Sequence, residues 1–525
     1  MKVLATDNFS KKGVEILRKE GWKVEATGKL TPDELKEKIK GIDVLIVRSG
    51  TKVTREAIES ADTLKVIGRA GVGIDNIDLK AATQRGIMVM NAPTGNTISA
   101  AEHAVALMLS LARKIPQAHA SLSKGLWEKK KFVGVEVFRK TLGIIGLGKV
   151  GSHVAKCALG LGMKVIGYDP FISQEKAEKI GVEIVELEEL LKRADFITLH
   201  VPLTPHTRHI LGEKEFALMK EGVRIINCAR GGVIDEQVLY RVIESGKVAG
   251  AALDVFEKEP PGDSPLLALP QVIVTPHLGA STEEAQYNVA IEITQQIVDA
   301  LKNAIYRNVI NLPYVPQEEW YQIEPYLSLS EKMGSFVGQL CRGQIKELRL
   351  EFLGEMGISD YSLLVSGVLK GMFEVMQPGL ITYVNAKMLA EERGIKIMER
   401  ESGRSEDFNS LIIVEALTSA GKYSVSGTLL GREFPRLVKI DDYNIEIAPE
   451  GNILLCYNLD RPGLIGKIGK ILGDSNINIA QMNFYRKEKG GEAISILTLD
   501  IPPSDEVKEK LSGLEEVNRV ESIIL

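Results

Sequence analysis

The run Gly146-Leu-Gly-Lys-Val-Gly151 constrains this chain more than any other feature. An apolar stretch (142–145) feeds it and a helix-forming stretch leaves it, so the three glycines sit in a strand–turn–helix. Gly146 permits the tight turn, Gly148 lets a pyrophosphate approach the backbone, and Gly151 lets helix and strand pack closely. Lys149 and Val150 stand at the helix N-terminus, whose N–H groups lack intrahelical partners and suit an anion. A second strand ends at Asp169, placed to bond ribose hydroxyls and repel a 2′-phosphate. Its neighbours Pro170 and Phe171 supply no cation. The expected ligand is NAD rather than NADP, in an open parallel sheet covered by helices.

The alternation extends to both sides of the loop. Strand-like runs 2–6, 23–25, 44–47, 66–67 and 88–90 alternate with helical runs 11–20, 31–39, 54–59 and 79–85, predicting a first parallel sheet. From residue 141 the pattern restarts, with strands at 141–147, 164–168, 196–200, 224–227, 248–253 and 272–274. The segment 99–113 is apolar nearly all round and is expected to be buried between domains or subunits. Helix 283–301 is expected to rejoin the first unit. The segment 313–320 reads as a Pro-rich linker into a mixed α+β unit with strands at 346–352, 396–399, 411–417 and 422–429. The last seventy-five residues follow the order βαββαβ of a ferredoxin-like module. The expected division is 1–96 with 284–313, then 97–283, 314–450 and 451–525.

Bulk properties exclude other classes. A chain of 525 residues exceeds one core. A net charge of −5 argues against nucleic acid, and no apolar run is long enough to span a membrane. Cys157, Cys228, Cys341 and Cys456 are scattered, which fits small buried hydrophobes in a reducing cytosol and offers no metal motif. The first residues read as strand and turn, not as a signal peptide, so a cytoplasmic protein is expected.

Three polar residues follow strand-like runs. Arg230, in Asn227-Cys-Ala-Arg-Gly-Gly232, has the planar fork that captures an α-carboxylate. His277, after Thr275-Pro276, can take a proton near neutral pH. A carboxylate on its other ring nitrogen would fix the tautomer. Glu259 and Glu257 both qualify, and spacing does not choose between them. Arginine, histidine, carboxylate and dinucleotide loop together describe oxidation of a 2-hydroxy acid, in which the cofactor takes a hydride and the protein a proton. His103, His119, His153, His206 and His209 read as structural, with His200 a weak rival at a strand end.

Gly146–Gly151, Cys228-Ala-Arg-Gly-Gly232, Asp254-Val-Phe256 with Glu259, and Pro276-His-Leu-Gly-Ala280 resemble the D-2-hydroxyacid dehydrogenases. Arg69-Ala-Gly-Val-Gly-Ile-Asp-Asn76 and Asn91-Ala-Pro93 with Asn96 and Ala101-Glu-His103 resemble their phosphoglycerate dehydrogenase branch. The resemblance covers about the first 313 residues. It implies Arg230, Glu259 and His277 as the catalytic trio, and oxidation of 3-phospho-D-glycerate at the entry to serine synthesis. It adds Val201, Pro202, Cys228, Ala229, Asp254, Gly279 and Ala280 to the cofactor site. It adds Arg48, Ser49, Gly50, Arg69, Gly71, Val72 and Asn96 to the substrate site. Lys129, in Trp127-Glu-Lys-Lys-Lys131, resembles a cation that reaches a neighbouring subunit's cleft, and the family implies a tetramer.

The C-terminal half carries its own resemblances. Tyr423-Ser-Val-Ser-Gly-Thr-Leu429 and Pro449-Glu-Gly451 resemble the intervening domain of the long branch. Its basic group Arg432, Arg436 and Lys439 reads as a solvated face. Asp460-Arg-Pro-Gly-Leu-Ile-Gly466 and Asn476-Ile-Asn-Ile479 resemble an ACT domain, a module that pairs by its strands and binds amino acids at the interface. That implies Asn458, Asp460 and Asn478 as holders of an effector, L-serine, with Asp460 on the ammonium and Asn478 on the carboxylate. The competing readings are a dehydrogenase for another D-2-hydroxy acid, and a sensor that kept the fold without turnover.

Overall fold

Val44–Val47 is wholly buried, as a strand covered on both faces by helices must be. It sits at the centre of a parallel sheet in the order Lys23–Ala26, Lys2–Ala5, Val44–Val47, Val66–Arg69, Met88–Asn91. The strand order reverses beside Lys2–Ala5, which opens a crevice at the carboxyl ends. The helix Glu283–Asn303 returns to this sheet, and Val289, Ala290, Ile293 and Ile297 join its core with Val3, Val44 and Val66. These are the coordinates of a computed structural model, which describes residues 1–525 except 378, 380, 404, 406 and 432 and the side chain of 317. Arg432 therefore lies outside the described residues.

The second sheet is also parallel. Its seven strands run Val272–Val274, Val248–Leu253, Val223–Asn227, Phe196–Leu199, Thr141–Ile145, Lys164–Tyr168 and Glu183–Ile184. The helix Thr97–Arg113 lays Ala101, Ala104, Leu107, Met108 and Leu111 on one face of it. Within the single chain the burial covers one face of this helix. Ile98 is 56% exposed and Glu102 and Ala106 are also open, because among the described residues nothing covers the far side of this helix.

The linker expectation needs correction. Trp320 is buried at the start of the helix Trp320–Leu340 and Val315 is buried before it, so 313–320 is anchored rather than free. That helix and Ser362–Glu374 cover a six-stranded mixed sheet. Two of its strands, Phe434–Ile440 and Tyr443–Ile447, were not expected. Pro435 and the cations Arg436 and Lys439 disguise the first as loop. The structure tolerates the proline because residues 434–436 run beyond the pairing with Tyr443–Ile447 and so lie at a sheet edge. The final module is antiparallel, in the order Ile479–Arg486, Glu492–Leu499, Asn452–Leu459, Val517–Ile524, with two helices on one face. No helix among the described residues is long and apolar enough to cross a membrane.

Candidate active site

A cleft of about 320 Å³ lies between the two parallel sheets, lined by residues that follow strand carboxyl ends on both sides. From the first sheet come Arg48, Ser49, Arg69, Gly71 and Val72; from the second come Val201, Pro202, Cys228, Ala229, Arg230, Asp254, His277, Gly279 and Ala280. Asn96 and Val150 complete the overlap with the sequence reading.

His277 sits on a turn with φ of +57°, a region a non-glycine residue seldom adopts without support. Asp254 supplies that support. Its fully buried carboxylate accepts from the Leu278 N–H at 2.7 Å, the Gly279 N–H at 2.9 Å and the Thr275 hydroxyl at 2.5 Å. Burial alone would raise its pKa, but the hydrogen bonds from His103, Thr275 and Leu278 prevail and lower it. Glu259 Oε2 lies 2.8 Å from His277 Nδ1. Burial acts to raise the Glu259 pKa, and the contact with His277 outweighs it. An ionised Glu259 can only accept, so Nδ1 carries the hydrogen and Nε2 is left as a base. Glu257, the rival carboxylate, instead contacts His209 Nε2 at 3.0 Å.

Three guanidinium groups converge on the other side. Arg69 is mostly buried, and its pKa falls to about 10 through burial and the nearby charges of Arg230 and Arg48. Such a cluster calls for an anion with more than one charge. Arg230 Nε meets the exposed Asp75 at 3.3 Å, and Nη1 donates to the Ala229 carbonyl at 2.7 Å. Asn227 holds its turn, donating to the Arg230 carbonyl at 2.9 Å and accepting from the Ala229 N–H at 3.0 Å. Asn96 Oδ1 is buried without a hydrogen-bond partner among the described residues, which suits a group that enters the cleft.

The glycine loop fits a pyrophosphate. A Cβ on Gly151 would lie 2.0 Å from the Gly146 carbonyl oxygen, so no side chain is possible there. Gly148 has open space around it at the N-terminus of the helix Lys149–Gly160. Asp169 ends near the loop and accepts from the Leu147 N–H at 2.8 Å. Phe171 beside it is 94% exposed and brings no cation to that end.

Family models match in three places. Residues 105–279 match the D-isomer specific 2-hydroxyacid dehydrogenase NAD-binding domain. Residues 322–441 match the D-3-phosphoglycerate dehydrogenase intervening domain, and 452–516 the ACT domain. A D-3-phosphoglycerate dehydrogenase of Methanocaldococcus jannaschii is 47% identical over all of both chains. The chain belongs to the D-3-phosphoglycerate dehydrogenase family. Another member, from Bacillus subtilis, is 41% identical over 100% of this chain and 99% of its own. Among solved structures, D-lactate dehydrogenase of Aquifex aeolicus complexed with NAD and lactic acid is 31% identical at a TM-score of 0.51. The match covers 57% of this chain and 96% of that one. A Thermus thermophilus protein, TT0316, is 33% identical at a TM-score of 0.55, over 59% and 100% respectively.

Within this family member, not every expected residue reaches the cleft. Gly50 stands behind Ser49 rather than on the lining, and Lys129 lies in an exposed turn, Lys129–Phe132, away from the cleft of its own chain. Glu259 does not line the cleft and meets it through its contact with His277 Nδ1. His200 does line the cleft, bonded to the Thr198 hydroxyl at 3.0 Å, with burial lowering its pKa to about 4. Gln286, Phe9, Ser10 and Asp75 line it too and were missed: Asp75 lies within the quoted run Arg69–Asn76 but was given no role there, and the other three sit in no recognisable motif.

The effector trio is not assembled in one chain. Asp460 and Asn478 stand at opposite ends of the strand Glu492–Leu499, roughly 25 Å apart by strand rise. Asn458 is buried, and its amide is spent on Ser495 and the Leu459 carbonyl. Asp460 accepts from Arg486 at 3.0 Å and from the Gly490 N–H at 3.1 Å, while Asn478 donates to Asp500 at 2.8 Å.

Proposed function

We propose that the chain oxidises 3-phospho-D-glycerate to 3-phosphohydroxypyruvate with NAD, the entry to serine synthesis. The observation that carries this is the convergence of Arg48, Arg69 and Arg230 on one cleft beside the His277–Glu259 pair. Arg230 takes the α-carboxylate in its planar fork and orients the carbon that reacts. Arg48 and Arg69, with Asn96 and the backbone of Gly71 and Val72, take the phosphate. His277 Nε2 accepts the hydroxyl proton, and the ionised Glu259 stabilises the imidazolium that forms. NAD, when bound, receives the hydride. The glycine loop with Lys149 and Val150 would hold its pyrophosphate, and Asp169 its ribose. The functional division that goes with this is a substrate-binding domain (1–96 with 284–313) and an NAD-binding domain (97–283). An intervening domain (314–450) and an ACT domain (451–525) follow.

We also propose that L-serine inhibits the enzyme at a site completed by two copies. Two ACT modules that meet along the exposed edge Ile479–Arg486 would set Asp460 of one copy near Asn478 of the other. A further contact between copies is supported by apolar side chains around the NAD-binding sheet: Ile98, Leu122, Leu126, Trp127, Val133 and Phe138 are each at least half exposed. Lys129 lies in the same exposed stretch, and in this reading it enters a neighbour's cleft. Two such interfaces per chain give a tetramer.

The test is NADH oxidation by the purified protein with 3-phosphohydroxypyruvate, with and without serine. Turnover that serine suppresses in the native chain, and not in Asp460→Ala, is expected. No turnover with this substrate, but turnover with another 2-oxo acid, would overturn the substrate assignment.

A further inference from the structure

Asp7 follows the first strand, Lys2–Ala5, and is buried with φ of +59°. Its carboxylate spends itself on one turn. Oδ2 accepts from the Arg48 N–H at 2.8 Å and the Thr51 N–H at 3.1 Å, and Oδ1 accepts from the Thr51 hydroxyl at 2.7 Å. The Thr51 hydroxyl oxygen in turn accepts from the Leu30 N–H at 3.2 Å, so its hydrogen is committed to Asp7. Asn76 closes the other side of the turn, donating to the carbonyls of Arg48 at 2.8 Å and Thr51 at 2.6 Å. A Cβ on Gly50 would stand 2.7 Å from Asp7 Oδ1, so only glycine fits this wrap. The backbone of residues 48–51 is thus folded around one carboxylate.

That carboxylate shapes the turn without neutralising its charge. Among the described residues the Arg48 guanidinium makes no ion pair and no hydrogen bond, although Asp7 holds the Arg48 N–H and its charge is felt at Arg69. We propose that Asp7 is a positioning residue that sets the preference for a phosphorylated substrate, acting through the turn that aims Arg48 and Ser49 into the cleft. The proposal rests on the reading that Arg48 and Arg69 take the phosphate. A carboxylate is required because all three partners are donors. An asparagine would turn an N–H group against them and leave a buried donor unpaired.

The experiment compares 3-phosphohydroxypyruvate with hydroxypyruvate, which lacks the phosphate, in the full-length protein and in Asp7→Asn, Thr51→Ala and Arg48→Ala. Asp7→Asn is expected to raise KM for the phosphorylated substrate about tenfold or more. Its kcat should stay within about threefold of native, with kcat/KM for hydroxypyruvate little changed. Thr51→Ala, which removes one bond, should shift the same ratio less, and it carries the test if Asp7→Asn does not fold. Equal losses on both substrates, or an unchanged ratio, would overturn the proposal. If Arg48→Ala keeps the preference, the phosphate reading itself fails. If Arg48→Ala loses it and neither Asp7→Asn nor Thr51→Ala does, only the role of Asp7 fails.

Discussion

His277 shows how much supporting structure one reactive side chain needs. Its left-handed backbone is held by Asp254, its ring by Glu259, and its partner Glu259 accepts in turn from the Phe256 N–H at 3.2 Å. His200, in the same cleft, is tuned the other way. Burial lowers its pKa from 6.5 to about 4, so it stays neutral where His277 must cycle. The consequence for stability has a definite sign. Between pH 6.5 and 4 the unfolded chain binds a proton at this position that the folded chain does not. His200 therefore costs nothing above pH 6.5, and costs progressively more as pH falls toward 4, up to about 3 kcal/mol. His200→Gln is expected to lose less Tm than the native protein between pH 7 and 5. Parallel acid slopes would refute that. That Arg230 and His277 share a cleft was legible, because each follows a strand, whereas the choice of Glu259 over Glu257 came only with the family resemblance. Asp7, Asp75 and Gln286 were not legible, since their roles come from contacts across the fold that no local spacing encodes.

At the scale of elements, the parallel strands were readable from their apolar runs, and the glycine loop from its place between strand and helix. The loop makes a firm prediction. Because a Cβ on Gly151 would collide with the Gly146 carbonyl, Gly151→Ala must push the helix Lys149–Gly160 from the sheet. NADH affinity, read by fluorescence quenching, is expected to fall at least about tenfold, near 1.4 kcal/mol. Unchanged affinity would show that the pyrophosphate does not rest on this loop. The strand Phe434–Ile440 was hidden because proline and surface cations break the apolar alternation that marks a strand, whereas Tyr443–Ile447 keeps that alternation over only five residues and was passed over. The ACT strands were readable, but which end of the sheet each asparagine occupies depends on register, which only pairing reveals.

For the whole molecule, polar contacts join the units, among them Arg230 with Asp75, Arg342 with Glu521 and Tyr485 with the Glu446 backbone. The Thr382 hydroxyl donates to the Gly86 carbonyl at 3.0 Å between the mixed sheet unit and the first domain. Gln339 both donates to and accepts from the backbone of Ile524, at 2.9 and 3.0 Å, between the long helix and the last strand. The exposed face of the helix Thr97–Arg113 and the 82% exposed Trp127 are surface that nothing among the described residues covers. Trp127→Asp is expected to yield a smaller species by light scattering at micromolar concentration, since a buried charge disfavours such a contact. An unchanged mass would place the interface elsewhere.

The most direct test of the central claim separates binding from chemistry at His277. His277→Ala and the native protein would be compared for NADH affinity and for kcat with 3-phosphohydroxypyruvate. The account predicts affinity within about threefold and kcat lower by about 10²–10⁴. Near-native turnover in His277→Ala would contradict it.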